Sequence, residues 1–425
     1  MAILTLLILV LGTVNLIRMT VFIIGSDIYA YRARKAGPAR AKPLPPFSVI
    51  IPAHNEERTV RRAIQSVLRS DYPRDLIEIV VVDDGSRDRT WRLAESYRLS
   101  YGVKRLTVVT QPQSGKARAL NHALRHHVSG KLVMCLDADS YLAPNALREM
   151  AHYFEDPRVA ATSANVKIVK SGGLLNLIQQ VEYIICYQMK RAQTVFNIEY
   201  IIGGIGSVFR RSVIRKIGYY DADTVTEDID LTMKILQLGN KKHRVIYGAR
   251  AIAYTEAVLD LGGLIRQRFR WKWGRCQTFL KNWNLFFNRG SQYTRGLTYF
   301  YLPYAIFGDV AFLIEPLVIG YIFFLVIRYG DLLTLLSTLL VMSSYIILNI
   351  LLEGTLTREE KAHYVLLAAP MYLFFYLMSL VEYLALIKTI VKLPTLRKSL
   401  GESRWEHVTR PTLRGRLATL PSVKS

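Results

Sequence analysis

Short apolar runs that stop at polar residues set the rhythm of the first third of the chain. Residues 47–52 (Phe-Ser-Val-Ile-Ile-Pro), 77–82, 105–110 and 132–139 (Leu-Val-Met-Cys-Leu-Asp-Ala-Asp) have strand length and read as buried strands. Between them Ile64, Val67 and Leu68, then Trp91, Leu93 and Ala94, then Leu120, Ala123 and Leu124 recur at helical spacing. Strands and helices alternating at these lengths predict an α/β fold with a doubly wound, mixed but mostly parallel sheet. In such a sheet the carboxyl ends of the strands open on a ligand crevice. Asp83-Asp84-Gly85-Ser86, Gly115-Lys116 and Asp137-Ala138-Asp139 all follow strands, so the pattern predicts that they converge.

Beyond Ala164 the sheet pattern weakens. Residues 174–195 predict one long helix with Gln, Glu and Lys interspersed. Gly203-Gly204-Ile205-Gly206 lacks the spacing of a dinucleotide site and predicts either a plain turn or a loop that lets another group approach closely. Thr226-Glu227-Asp228-Ile229-Asp230 opens a further helix through Leu231, Ile235, Leu236 and Leu238, which Gly239 ends. In 261–288, Phe269, Trp271, Trp273, Phe279, Trp283, Phe286 and Phe287 mix with Arg266, Arg268, Arg270, Lys272, Arg275 and Lys281. Such a mixture predicts an amphipathic helix in a membrane interface, with 279–287 wholly given to that role.

Length and hydropathy add a membrane. The chain has 425 residues, enough for a soluble domain of about 200 to 250 residues and more. Residues 1–25 hold one ionisable side chain, Arg18, and a basic stretch, Tyr31-Arg-Ala-Arg-Lys, follows, so they predict an anchor that runs from outside inward. A cleaved signal peptide fits poorly, since no basic stretch precedes the apolar run. Residues 297–327, 332–352 and 365–391 also have spanning length, and Pro303, Asp309 and Glu315-Pro316 predict that acids of the first face a polar cavity. Three crossings would leave the basic tail outside, whereas its charge argues for inside. The expected division is 1–28 as anchor, 29–45 as basic linker, 46–260 as cytoplasmic domain, 261–296 as amphipathic interface helices, 297–391 as transmembrane helices and 392–425 as basic tail. This describes a multi-pass protein of the cell membrane with the lipid bilayer as a partner.

Net charge is +23, from 56 basic and 33 acidic residues, which suits nucleic acid, an anionic lipid surface or a phosphate-bearing substrate. No nucleic-acid motif stands out, and the apolar spans favour the other two. Cys135, Cys186 and Cys276 are widely spaced, with no Cys-x-x-Cys, so they indicate neither a disulfide framework nor zinc and fit a reducing compartment. His122 and His126 lack a third ligand nearby in sequence and read as a helix surface.

The acids carry the candidate chemistry. Asp137 and Asp139 suit Mg²⁺ or Mn²⁺, hard cations that take oxygen ligands and are completed by substrate phosphates; a loop-capping pair is the plainer alternative. Asp84-Gly85 is also a common tight turn. Thr226 or Asp228 can act as an N-cap, and acids in a first helical turn are ordinary dipole partners. The acids at 227, 228 and 230 nevertheless exceed what capping needs and offer a general base.

Taken as a set, Ile51-Pro-Ala-His-Asn-Glu56, Val82-Asp-Asp-Gly-Ser86, Gly115-Lys-Ala117, Asp137-Ala-Asp139, Thr226-Glu-Asp228 and Gln267-Arg-Phe-Arg-Trp271 resemble the membrane-embedded family 2 glycosyltransferases. That group includes the synthases of cellulose, chitin, hyaluronan and poly-N-acetylglucosamine, and the resemblance covers roughly 46–290. It implies a glycosyltransferase A fold joined to transmembrane and interfacial α-helices, and an inverting transfer from a nucleoside diphosphate sugar. By matching positions, Ala53, Glu56, Asp84, Lys116 and Asp137 would form the nucleotide site, and Asp139 would hold Mg²⁺ or Mn²⁺ on the diphosphate. Asp228 would be the catalytic base, Gln267, Arg268 and Arg270 would serve the diphosphate and acceptor, and Trp271 would floor the acceptor site.

The expected activity is therefore processive polymerisation of a UDP-sugar, with UDP-N-acetylglucosamine favoured, onto a growing polysaccharide that passes through the protein's own spans, with accessory membrane subunits as further partners. Two other readings stay open: transfer of one sugar to a lipid carrier, and a membrane-anchored regulator that binds a sugar nucleotide without turnover.

Overall fold

The computed structural model describes residues 2–36, 43–100, 105–330 and 332–401. An eight-stranded sheet is built from β1 (Phe47–Ala53), β2 (Ile77–Asp84), β3 (Leu106–Gln111), β4 (Leu132–Cys135), β5 (Tyr141–Leu142), β6 (Val159–Ile168), β7 (Ser207–Arg210) and β8 (Arg244–Thr255), in the order β3-β2-β1-β4-β7-β6-β8-β5. β1, β2, β3 and β4 are mutually parallel, as are β6 and β8, whereas β7 runs antiparallel between β4 and β6 and β5 antiparallel beside β8. The sheet is thus mixed.

The helices in chain order are α1 (Ala2–Ala36), α2 (Val60–Leu68), α3 (Thr90–Ser100), α4 (Lys116–His126), α5 (Ala146–Tyr153), α6 (Leu174–Phe196), α7 (Arg211–Lys216), α8 (Glu227–Gln237) and α9 (Leu261–Lys281). The C-terminal group is α10 (Leu302–Phe312), α11 (Glu315–Tyr329), α12 (Leu332–Leu352), α13 (Arg358–Leu366) and α14 (Ala368–Lys392). Alternate strand residues bury on opposite faces, which is why the central strands are apolar throughout. Val49, Ile51, Ile79 and Val81 pack with Ile64 and Val67 of α2. Ile50, Val80, Val82 and Val133 pack with Leu120 and Ala123 of α4 and with Leu231 and Ile235 of α8.

Two strand ends differ from the sequence expectation, and both matter for the site. β2 continues through Asp83 and Asp84, which pair with Thr110 and Gln111 instead of forming a turn. β4 stops at Cys135, and 136–139 leave the sheet while Leu136 and Ala138 remain buried, so the two carboxylates stand on a segment that peels away from the strand. β6 and β8 were not expected. Ala160, Ala161, Ser163, Ala164 and Asn165 in β6 and Gly248, Ala249, Arg250 and Ala251 in β8 break up their β-branched and aromatic residues, which weakens the signal that marks a strand in sequence.

The expected division at residue 28 dissolves, because α1 is one helix to Ala36. Its exposed Leu6, Val10, Ile17 and Ile24 are apolar, while Ser26 donates to Gln188 of α6 at 2.9 Å and Tyr29 donates to the Tyr247 carbonyl at 2.8 Å. Linker residues 37–42 lie outside the described residues. Among those described, Leu335–Leu352 and Ala368–Thr395 are long and apolar enough to cross a membrane, and α10 with α11 makes a third such stretch only if its 46° bend is one broken span. That bend sits at Glu315-Pro316, where the ring removes a helical hydrogen bond.

The segment 261–296 is also corrected. α9 ends at Lys281, and Phe279, Leu285 and Phe286 are buried against the α/β domain with Tyr200, because they complete the core behind α8; Trp283 and Phe287 are the exposed pair. The stretch 297–391 is interrupted by the polar helix α13, fixed by a capping box at Thr357 and by a Lys170–Glu360 ion pair of 2.7 Å. Both flanks of α14 hold on to the domain. Before it, Tyr364 donates to Gln180 at 2.5 Å; after it, Gln277 donates to the Ser399 carbonyl at 3.1 Å and the Gly401 amide donates to the Asp223 carbonyl at 2.9 Å. Between those ties α14 follows α9, with Glu382 at Arg268 and with Lys388 and Lys392 over the Phe269 ring. The start of the tail, through Ser399 and Gly401, therefore rests against the domain; 402–425 are outside the described residues.

Candidate active site

Asp84 fixes one corner of the site from behind. Its buried carboxylate accepts from the Ser114 amide at 2.9 Å, the Gly115 amide at 2.8 Å and the Gln111 side chain at 2.7 Å. Gly115 cannot cap α4 with a side chain, so a carboxylate from β2 takes the free amides at that helix start. Lys116, the first residue of α4, is thereby aimed at the segment after β4. Its Nζ lies 2.7 Å from Asp137 Oδ1 and 3.0 Å from Glu227 Oε1. The glycine loop closes over the same ammonium: a Cβ on Gly204 would stand 2.7 Å from Lys116 Nζ, so a side chain there would push the ammonium aside.

The three acids at the start of α8 have separate jobs. Glu227 pairs with Lys116. Asp230 is fully buried and held by Lys281 Nζ at 2.8 Å and Asn282 Nδ2 at 3.1 Å, a structural tie to α9. Asp228 is half-buried and lines the cavity. Burial, and then the neighbouring Glu227 charge, push its carboxyl up to about 6, with Lys116 pulling the other way. Thr226 occupies the N-cap position without a capping hydrogen bond, because its side chain is pressed against Gly274 of α9.

α9 supplies the opposite wall. Gln267, Arg268, Arg270 and Trp271 line the same cavity, of about 430 Å³, as Lys116, Asp137 and Asp228. That is within the range of small-molecule sites, about 300–1,000 Å³. The basic residues of α9 thus point inward, toward acids contributed by other helices: Arg268 to Glu182 and Glu382, Lys272 to Glu382 and Asp309, Arg275 to Asp309.

Ala53, Glu56, Asp84 and Asp139 do not line this cavity. Ala53 is buried at the end of β1 beside Asp83. Glu56 accepts from Thr59 Oγ1 at 2.6 Å and its amide donates to Thr90 at 2.7 Å, locking the loops after β1 and β2 together. Asp83, which the motif reading passed over, is buried with Oδ2 accepting from Thr110 at 3.1 Å and Oδ1 without a hydrogen-bond partner. Asp139 is half-buried, with Oδ1 accepting from Ser140 at 2.8 Å, and Ser140 is itself held by Thr255 at 3.1 Å.

Of the two acids after β4, Asp137 is engaged by the Lys116 ammonium, and Asp139 accepts from the Ser140 hydroxyl; carboxylate oxygens of this kind are the donors a hard cation takes. A tighter acid group among the described residues, Asp221, Asp223 and Asp230, already encloses Lys281 Nζ at 2.5, 2.8 and 2.8 Å. That ammonium supplies the charge a metal would bring.

α6 contributes wall residues that no motif marked: Glu182, Tyr183, Cys186 and Tyr187. A signal was present, since Gln179, Glu182, Cys186 and Lys190 recur at 3, 4 and 4 residues, one face of the helix, and all line the cavity.

Residues 48–218 match the Glycosyl transferase family 2 profile. The poly-beta-1,6-N-acetyl-D-glucosamine synthase of Staphylococcus epidermidis is 31% identical over 238 residues, 56% of this chain and 56% of that protein. The enzyme of the same name from Staphylococcus aureus strain COL is 31% identical over 275 residues, 62% of this chain and 64% of its own length. The chain thus spans less than two thirds of the length of both curated relatives, 56% of one and 64% of the other. A solved structure, a mannosyltransferase from Pyrobaculum calidifontis in complex with GDP-Man and Mn²⁺, superposes with a TM-score of 0.52 at 22% identity, over 88% of this chain and 96% of that one. Residues 48–218 are thus similar to a glycosyl transferase family 2 domain, and the chain has a glycosyltransferase A fold.

Proposed function

We propose that this protein is an inverting, processive glycosyltransferase that polymerises a UDP-sugar, with UDP-N-acetylglucosamine as donor, into an extracellular β-linked polysaccharide. The observation that carries the reading is the shared cavity: Asp228 lines it together with Lys116 and Asp137 from the sheet side and with Gln267, Arg270 and Trp271 from α9. The names of the staphylococcal relatives support the donor and the product.

In this reading Asp228 takes the proton of the acceptor hydroxyl as that oxygen attacks the anomeric carbon. A single carboxylate acts because Glu227 is engaged by Lys116, so one displacement inverts the centre. Arg270 and Lys116 stand ready for the charge that grows on the departing diphosphate, which positioned cations stabilise without rearranging. The Trp271 indole offers a face on which a sugar ring can stack. Asp139 would hold Mg²⁺ or Mn²⁺, which would add charge stabilisation at the diphosphate. The protein would sit in the cell membrane through α1, the α10–α11 pair and α12, with its domain cytoplasmic and with room for accessory subunits.

A second reading, transfer of one sugar to a lipid carrier, is favoured by α14: with both flanks on the domain it leaves fewer helices to enclose a moving polymer. UDP release from the purified full chain in detergent, with Mg²⁺ or Mn²⁺ and a panel of UDP-sugars, tests both. Release with one donor and a long product supports the synthase, and a short or lipid-bound product selects the second reading. No release with any donor overturns both.

A further inference from the structure

Arg268 is the most enclosed cation of the cavity wall. It is 6% exposed, yet it contacts the substrate volume, and its guanidinium lies over the Trp271 ring at 4.4 Å from the centroid. A carboxylate from a different helix stands on each of two sides: Glu182 of α6 accepts a hydrogen bond from Nη2 at 2.7 Å, and Glu382 of α14 lies 3.2 Å from Nε as an ion pair without hydrogen-bond alignment. Lys272, one helical step on, joins Glu382 at 2.9 Å to Asp309 of α10 at 3.3 Å. With Arg275, which also pairs with Asp309, three cations of α9 meet three acids from three other helices, and the charges balance.

The plainest role for such a network is to fasten α14 to α9. Location argues for more. Glu182, Glu382, Arg268, Lys272 and Trp271 all line the cavity, so the ion pairs border the space where an acceptor would lie and are not sealed in a core. A guanidinium alone stacks on an indole with only about 0.5–2 kcal/mol. One hydrogen bond to Glu182, which holds the rigid guanidinium by one arm, and the Glu382 charge on its other side together turn that weak contact into a set position.

Resting on the function proposed above, we infer that Glu382, with Glu182, is a positioning residue for the acceptor platform. The two carboxylates hold Arg268 flat on one face of Trp271, and the indole keeps its other face to the sugar. In consequence α14 is a wall of the acceptor site. The pair would thereby set how tightly an acceptor chain is held between transfers.

The test uses the full chain in detergent micelles and an N-acetylglucosamine pentasaccharide as acceptor probe. Glu382→Gln keeps shape and removes the charge. The expected result is a rise in acceptor KM on the order of tenfold with kcat changed less than about threefold, and no further loss when Glu382→Gln is added to Trp271→Ala. A fall in kcat at unchanged acceptor KM, or losses that add in the double variant, would make the network mere fastening and overturn the inference. Should Glu382→Gln fail to melt cooperatively, Glu182→Gln, which keeps the Glu382–Lys272 tie to α9, carries the same comparison. A second readout needs no donor: pentasaccharide binding followed by the part of the tryptophan fluorescence that Trp271→Phe removes. Weaker binding there in Glu382→Gln upholds the clamp even if no UDP-sugar is turned over, while unchanged binding rejects it; absence of turnover in the parent protein counts against the proposed function alone.

Discussion

Lys116 Nζ and Asp137 Oδ1 stand 2.7 Å apart where β4 gives way to its acidic segment, and the same ammonium reaches Glu227. Burial alone would make Lys116 easier to deprotonate, but Asp137, Glu227 and Asp228 more than offset this and hold it charged. One cation therefore latches the end of the sheet to the start of α8, and Asp84 sets its place through the Ser114 and Gly115 amides.

Replacing it should expose both functions of the latch. Lys116→Met leaves two acids facing each other without their partner, a change worth about 1–3 kcal/mol for a partly exposed pair. The expected outcome is a lower melting midpoint together with at least tenfold weaker UDP binding by calorimetry. If both stay at the parent values, Lys116 is neither latch nor anion site.

Asp228 should make activity and stability move in opposite directions with pH. Its carboxyl is pushed up to about 6 from an ordinary 3.8. As a base it works only when ionised, so kcat/KM should rise with pH and level off above about 6. The folded protein meanwhile keeps a proton that the unfolded chain gives up at lower pH, so raising pH through the window from 3.8 to about 6 removes stability. Asp228→Asn should abolish the acid limb and lower turnover by roughly 10²- to 10⁴-fold with UDP binding retained. A profile whose acid limb survives the substitution assigns it to another group.

Metal removal should act through Asp139. Chelation should weaken donor binding, restored by Mg²⁺ or Mn²⁺, and Asp139→Ala should make donor binding insensitive to either ion. Retained metal dependence in that variant would place the ion elsewhere.

Gly274 is where α9 comes closest to the N-terminus of α8, and an added methyl would collide with Thr226 Oγ1 and Cγ2. Gly274→Ala should cost about 1–3 kcal/mol, the usual penalty of overpacking a filled contact. Thr226→Ser, which removes one of the colliding atoms, should recover part of it. A melting midpoint equal to the parent's would show that the two helices can part freely.

The parts of the fold legible in the chain are those with strong local period. β1, β2 and β4 are apolar because both faces are covered, and α6 reads as a helix over nearly its whole length. β6 and β8 stay hidden because runs of Ala, Ser, Asn and Gly at 160–165 and 248–251 interrupt their strand formers, and β7 because an antiparallel insertion leaves no local mark. In the site, the motif acids could be named but their division of labour could not. Nothing local tells Asp228 from Asp230; the difference is that Lys281, 51 residues on, reaches only the second. Likewise Glu382 looks like an awkward acid in an apolar helix until Arg268 is seen beside it.

Gln277 has a use that concerns the order in which the protein is made. Its Oε1 accepts from the Val225 amide at 3.0 Å, just ahead of Asp228, and its Nε2 donates to the Ser399 carbonyl at 3.1 Å. Ribosomal synthesis delivers the α/β domain first, and domains fold largely as they emerge. The support of the loop that carries the acid is therefore completed last, by residues that follow α14: Ser399 on Gln277 and the Gly401 amide on the Asp223 carbonyl. The residues after α14 thus back the loop that presents Asp228 to the cavity.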